Sequence, residues 1–271
     1  MRLLTLTLIG LMGTMTVQAQ DRVEEFGLFD HLSAGISLGT TGIGFEVAAP
    51  VTSFLQARVG YSFLPKFKVK GDQKLKSTNP IFKKNAEDGG TGYYDEISYE
   101  GKLNVGDFKI LLDYYPFRTS TFRVTAGAYI GTSKICTANT TNTFLNKKYW
   151  GNSGPELGNG AESYTIVSEP DGSVTVDVKT NAFKPYIGIG FGRAVPKGRV
   201  SVCFDLGVEF WGKPGLWTNI SDDMGTSYQK VDKDKILSTE DYCDDIRDGI
   251  KTGEKVIAYP VLTLRVNGRI F

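Results

Sequence analysis

Eight stretches of this chain alternate apolar residues with small or polar ones, and the lengths of the connections between them sort by parity. The stretches are residues 32–38, 43–49, 54–63, 108–115, 122–130, 186–193, 200–210 and 261–270. A side-chain period of two is that of a strand with one apolar and one polar face. Every even-numbered connection (50–53, 116–120, 194–199) is a tight turn. Every long one (64–107, 131–184, 211–259) is odd-numbered, so all long loops fall on one side. A globular sandwich has no reason to sort its loops this way. A barrel crossing a membrane does, with tight turns at one rim and long loops at the other. The expected fold is therefore all-β: a closed antiparallel up-and-down transmembrane β-barrel of eight strands.

The strand faces agree with a membrane setting. In residues 200–210 one face reads Val200, Val202, Phe204, Leu206, Val208 and Phe210, and the other Ser201, Cys203, Asp205, Gly207 and Glu209. A soluble barrel buries its apolar face inside. Here charges sit in mid-strand, which suits a polar lumen, while the apolar face meets lipid. The lumen face carries Glu46, Arg58, Lys109, Asp113, Arg123, Asp205, Glu209 and Arg265, four acids and four bases. An eight-stranded barrel is only wide enough inside to be filled by side chains. Charges held there must be paired, because an isolated buried ion is very costly. The expected pairs are Glu46 with Arg58, Asp113 with Arg123, and Asp205 with Arg265, forming a plug; a proton or ion path is the alternative.

Glycine fits the same picture: it makes up 32 of 271 residues, about 12% against a usual frequency of roughly 7%. Gly35, Gly44, Gly60, Gly127, Gly188 and Gly207 lie on the lumen face, where they are expected to make room for long Arg and Glu side chains. With 31 basic and 30 acidic residues, nothing calls for nucleic acid as a partner. No stretch reaches the ~18 apolar residues of a spanning helix. Arg2, the apolar run 3–17 and the small-residue end Val17-Gln18-Ala19 read as a secretory signal peptide over residues 1–19, cleaved near Ala19. Residues 20–271 are then the barrel domain. Cys136, Cys203 and Cys243 make no disulfide framework, although Cys136 and Cys243 both fall in outer loops and are a candidate pair.

The long loops carry signals of their own. Segments 164–168 and 173–179 flank Glu169-Pro170-Asp171-Gly172, a hairpin signal, read as an extension beyond the membrane; counting both as spanning strands gives a ten-stranded alternative. Residues 238–250 read as a capped helical stretch. Aromatic girdles are expected at the two interfaces: Phe54, Tyr114, Tyr115, Phe117 and Phe191 toward the turns, and Tyr61, Phe63, Tyr129, Phe210, Trp211 and Tyr259 toward the loops.

Particular residues carry a family likeness. The turn in Leu112-Asp113-Tyr114-Tyr115-Pro116-Phe117, the run Gly188-Ile189-Gly190-Phe191-Gly192-Arg193, Phe204-Asp205-Leu206-Gly207 and the ending Gly268-Arg269-Ile270-Phe271 resemble those of small Gram-negative outer-membrane barrels. The resemblance is to the OmpA and OmpW type, particularly uncharacterised barrels of Bacteroidetes. It implies an outer-membrane location among lipid, and a terminal aromatic, Phe271, read by the barrel-assembly machinery. In this chain Phe271 shares its parity with Arg265 and Asn267 rather than with Leu264 and Val266, so a bulge near Gly268 is expected to restore the lipid-facing phase.

Catalysis finds no support. His31, the only histidine, precedes the first strand at the turn rim, whereas lipid-modifying barrels of this size class work at the outer leaflet. The glycine runs open no helix and are not phosphate loops. No cofactor, metal or catalytic residue is expected. The expected role is structural or surface-binding, through the long loops and an extracellular ligand that the sequence leaves unidentified. A narrow pore or a conduit for small hydrophobic molecules is the alternative; a lipid-modifying enzyme and a soluble carrier are more remote.

Overall fold

Alternation of period two governs nearly the whole computed structural model, which describes residues 28–117, 119–157, 164–222, 225–232 and 257–271. The expected signal peptide, Cys243 and the helix expected over 238–250 lie outside the described residues. Sixteen strands follow in chain order. The first group is β1 (Ser33–Gly39), β2 (Gly42–Thr52), β3 (Leu55–Phe63), β4 (Lys68–Lys74), β5 (Glu96–Leu103) and β6 (Gly106–Tyr114). The second is β7 (Arg123–Gly131), β8 (Lys134–Thr140), β9 (Glu156–Leu157), β10 (Tyr164–Ile166), β11 (Thr175–Lys179) and β12 (Phe183–Phe191). The last are β13 (Val200–Phe210), β14 (Gly215–Asp222), β15 (Gly225–Lys230) and β16 (Ala258–Arg269).

Eight of these close on themselves in the order β1-β16-β13-β12-β7-β6-β3-β2, all neighbours antiparallel. These are the eight strands expected from the alternation, so the ten-stranded alternative falls away. Closure leaves no unpaired edge, as hydrocarbon requires. In β7 the side chains of Arg123 and Thr125 are buried in the lumen, while Ile130 is exposed on the wall. Ile36, Leu38, Phe45, Val59, Phe108, Ile110, Ile187, Phe204, Leu264 and Val266 are likewise exposed on the outside, which makes the exterior an apolar belt. This is a transmembrane barrel. The β1–β2 hairpin depends on Gly42, whose φ of +91° no other residue adopts without strain and whose added Cβ would lie 2.1 Å from the Phe63 carbonyl oxygen.

The long loops build a second sheet, ordered β4-β5-β8-β11-β14-β10-β9 with β15 on β14. Its first five strands follow the barrel order β3-β6-β7-β12-β13, each the chain continuation of its barrel partner. The wall thus rises on one side into an extramembrane crown. Two segments pack against one face of it, placing Leu75, Ile81, Phe82, Tyr94, Phe144, Leu145 and Val174 in an apolar cluster. The hairpin expected at 164–179 is not one. β10 and β11 both pair antiparallel with β14 (Thr165↔Ser221, Asp177↔Trp217) and so run in the same direction. Glu169–Gly172 does form a turn, with the Gly172 N–H donating to the Glu169 carbonyl. Because β14 offers the stretch a continuous edge, the turn bulges outward and the strand resumes beyond it.

Candidate functional site: the barrel lumen

The lumen is filled in three tiers. At the turn rim, the β12–β13 connection folds into the barrel mouth, burying Ala194 and Val195 against Ala48. The Tyr115 hydroxyl donates to Gln56 Oε1 (3.0 Å) and accepts from the Ala194 N–H (3.0 Å); the Val195 N–H donates to the same Gln56 oxygen (3.0 Å). Ser33 donates to the Ala194 carbonyl, and Ser201 and Cys203 donate to that of Arg193. Two buried side chains that a turn would otherwise leave in water, Tyr115 and Gln56, thus hold its backbone in place.

The middle tier is a cluster of ions contributed by six strands. Arg58 on β3 is the hub: it lies 3.0 Å from Glu46, 2.7 Å from Asp113 and 3.5 Å from Asp205. Glu46 also receives Lys109 and Arg265, each at 2.5 Å. Arg123 reaches Asp205 at 2.5 Å and Asp113 at 3.5 Å, and Arg265 reaches Asp205 at 3.7 Å. All seven are buried. Three carboxylates therefore share four cations, in a site where a lone charge would be severely penalised. Thr125 adds a hydrogen bond to Asp113 at 2.7 Å. Glu46 with Arg58, Asp113 with Arg123, and Asp205 with Arg265 are contacts between adjacent strands. The larger fact is the sharing across the lumen, because a barrel this narrow brings opposite walls within reach of a guanidinium.

Glu209 stands apart from this cluster. It belongs to a third tier at the loop rim, where its Oε2 accepts from Trp211 Nε1 at 2.8 Å. Trp211 stacks on Tyr259 with centroids 4.4 Å apart, and the Tyr259 hydroxyl donates to the Thr40 carbonyl. Beside them Lys184 Nζ sits 2.7 and 2.8 Å from the two Asp107 oxygens, and 5.4 Å from the Trp211 ring. Below, Tyr129 meets Tyr186 edge-on at 5.4 Å in an apolar layer with Leu111 and Val261. Asp107 and Lys184 lie just outside the expected stretches, one residue before 108–115 and two before 186–193. Extending the alternation of 108–115 and 186–193 backwards places both on the lumen face.

The lumen also corrects two expectations. Tyr115, Tyr129 and Trp211 are buried rather than part of a girdle: the Tyr115 hydroxyl bonds Gln56, the Trp211 N–H bonds Glu209, and Tyr129 packs on Tyr186. Phe54–Tyr114, Phe122–Phe191 and Tyr61–Phe108 make the outer aromatic contacts. The glycines are more varied than expected. Gly60 abuts Glu46 and Gly44 abuts Lys109, but Gly188 and Gly207 make room for the Tyr186 ring, Gly35 for Asn267, and Gly127 for Leu111. At the C-terminus, β16 pairs with β1 without a register shift from Gly39 to Ser33, so no bulge falls at Gly268; the irregularity comes two residues later, where the Leu32 carbonyl accepts from the Ile270 N–H and the Leu32 N–H donates to the Phe271 carbonyl. The strand ends at Arg269, and Ile270 and Phe271 are both exposed beyond it. His31 precedes β1, and Cys136 lies half-buried on β8.

Fold and lumen together define a class: a closed eight-stranded transmembrane barrel with an ion-paired interior and a crown on one side. No family model matches the chain, and no curated protein matches it. Among solved structures it is similar to CarO2 of Acinetobacter baumannii at 18% identity, over 88% of this chain and 98% of that one, with a TM-score of 0.44. It is also similar to CarO of the same organism at 16% identity, over 87% and 96% of the two chains, with a TM-score of 0.42. Likenesses of this strength leave the barrel's own geometry as the ground for a functional reading.

Proposed function

We propose that this chain is an outer-membrane barrel of the small OmpA and OmpW type whose lumen does not conduct, and that it acts through its crown at the cell surface. The observation that carries this reading is the occupancy of the lumen. Arg123, Arg265, Lys184, Gln56 and Glu209 are among the largest fully buried side chains of the described residues, and all of them line the barrel. Pore-forming barrels are wider and leave water along the axis. The crown supports the second half of the reading, because the described parts of the three long loops join in a sheet with its own apolar cluster, which gives a fixed surface. Its partners would be the surrounding outer-membrane lipid, the barrel-assembly machinery reading Phe271 during insertion, and a ligand outside the cell. No cofactor and no reaction belong to this reading.

The test is electrical. Purified protein reconstituted in a planar bilayer is expected to insert, shown by heat-modifiable gel mobility, without unitary current steps. Stable steps from the wild type would overturn the closed lumen and favour the narrow pore.

A further inference from the structure

The outer face of the crown stands directly above the apolar belt, and its chemistry changes there from hydrocarbon to lysine. From β12 to the last residue of β11 the register against the neighbouring wall is unbroken, Lys179↔Lys134 leading to Phe183↔Ile130, and the extra residue beyond it lies on β8, not on β11. Counting by twos from the exposed Phe183 therefore reaches Lys179, Asp177 and Thr175 on the same side. The same count along β6 and β5 leads from Phe108 to Lys102 and Glu100. The one-residue offset between the sheets falls at Ile135 of β8, which the register passes over. Partner residues extend this face across six strands as the row Lys68, Lys102, Thr137, Asp177, Trp217 and Lys230. Five strand spacings make it about 24 Å wide.

Six lysines occupy the rows nearest the membrane: Lys68, Lys70, Lys102, Lys134, Lys179 and Lys230. Among the described residues three carboxylates share these rows, Glu100, Asp177 and Asp232 (two residues past Lys230), and all three are engaged. Glu100 lies 3.1 Å from Lys68 and 3.7 Å from Lys102, and Asp177 lies 2.6 Å from Lys134. Lys179 Nζ sits 4.4 Å from the centroids of both Trp217 and Tyr228, which stack on each other. Amphipathic rings of this kind favour a membrane boundary. Lys134 and Lys179 are four residues beyond Ile130 and Phe183. At ordinary strand rise and tilt that is roughly 10 Å along the membrane normal, just past the hydrocarbon edge.

We propose that this face binds the phosphorylated headgroups of the lipids packed around the barrel. Anionic headgroups complement the lysine excess, and the face is continuous with a surface that lipid already covers. The proposal rests on the membrane reading above but not on the closed lumen. It is tested with the full chain in uncharged detergent, measuring binding of bisphosphorylated lipid A, of lipid A stripped of both phosphates, and of inorganic phosphate. The expected result is binding of the phosphorylated lipid alone, weakened by added salt. The variant K70Q/K102Q/K230Q should lose roughly fivefold in affinity per lysine, while K83Q/K84Q/K148Q, altered in the segments packed on the other face of the crown, should bind like the wild type.

Equal affinity for the two lipids, an unaffected triple variant, or full competition by inorganic phosphate would each overturn the proposal. Should the triple variant fail to run as a heat-modifiable barrel, K102Q and the salt titration of the wild type decide the matter. A wild type lacking heat-modifiable mobility would defeat the membrane reading instead, so the two failures are told apart.

Discussion

The barrel and the crown are built from the same continuous strands, yet their interiors are opposites. Inside the barrel lie Glu46, Arg58, Asp113, Arg123, Asp205 and Arg265, with leucine, isoleucine and phenylalanine on the outside. Inside the crown lie Phe82, Phe144, Leu145 and Ile81, with lysine on the outside. A strand has only two faces, so what differs is which face the surroundings accept. Lipid takes the apolar face of the barrel and forces the polar one to satisfy itself across the lumen. Water takes the polar face of the crown and drives the apolar one together. The order of the strands is carried from one region to the other, while the logic of the core is inverted a few residues past the loop rim.

If the lumen is a true core, its hub should be indispensable. Arg58→Met leaves Glu46, Asp113 and Asp205 facing one another without the guanidinium that joins them. Removing one partner of a buried ionic site costs roughly 3–5 kcal/mol. Urea unfolding of the lipid-refolded barrel should show a loss of that size, with Arg58→Lys falling between because a single ammonium cannot bridge three acids. A variant as stable as the wild type would mean that the lumen is solvated rather than packed.

The crown answers a different perturbation. Phe82 is fully buried and stacks against Phe144 at 6.4 Å, so Phe82→Ala should cost about 3 kcal/mol through the cavity it leaves. The loss should be local: limited proteolysis is expected to clip the crown while the barrel keeps its heat-modifiable mobility. A barrel that melts along with it would show that the two regions fold as one unit. Solvent itself is compared by a single change made twice. Ile110 and Val69 are almost equally exposed, at 55% and 52%. Ile110→Arg, in the middle of a strand against lipid, should cost about 2 kcal/mol, and Val69→Arg, in the crown, less than about 0.5 kcal/mol. Equal costs by urea unfolding would contradict the assignment of lipid to one region and water to the other.

The contrast also explains what was legible in the sequence. The barrel strands could be read because alternation, tight turns and loop parity are local, and the lumen charges followed from parity alone. The hub role of Arg58 could not, since it depends on which walls face each other across the closed barrel. Asp107 and Lys184 were lost at strand ends, where the pattern fades into the loop. The crown was nearly invisible. Its strands are short, its register is offset by one residue at Ile135, and its apolar cluster joins Phe82 to Phe144 and Val174, positions that no local period connects. The Glu169–Gly172 turn was found as a turn, but its consequence depended on β14, some forty residues further on.

The smallest expected effect concerns acid, and it separates the regions by hydrogen bonding on the crown. Burial by itself would raise the Asp177 carboxyl, but Lys134, Thr137 and Tyr228 all bond to its charged form and hold it below the usual aspartate value. A carboxyl depressed in the folded state takes up its proton at lower pH than in the unfolded state. Its contribution is therefore whole above about pH 4 and drains away as pH falls through the folded value. Hydrogen-exchange protection of β8 and β11 amides, corrected for intrinsic rates, should decline below about pH 4 in the wild type. In Asp177→Asn, protection should start lower at neutral pH and fall less on acidification, because the amide has no proton to gain. The difference between the two curves isolates this residue from other crown acids such as Glu100, which Lys68 also holds down through a hydrogen bond. Parallel curves would mean that Asp177 is not what ties β8, β11 and β15 together on the lysine-bearing face.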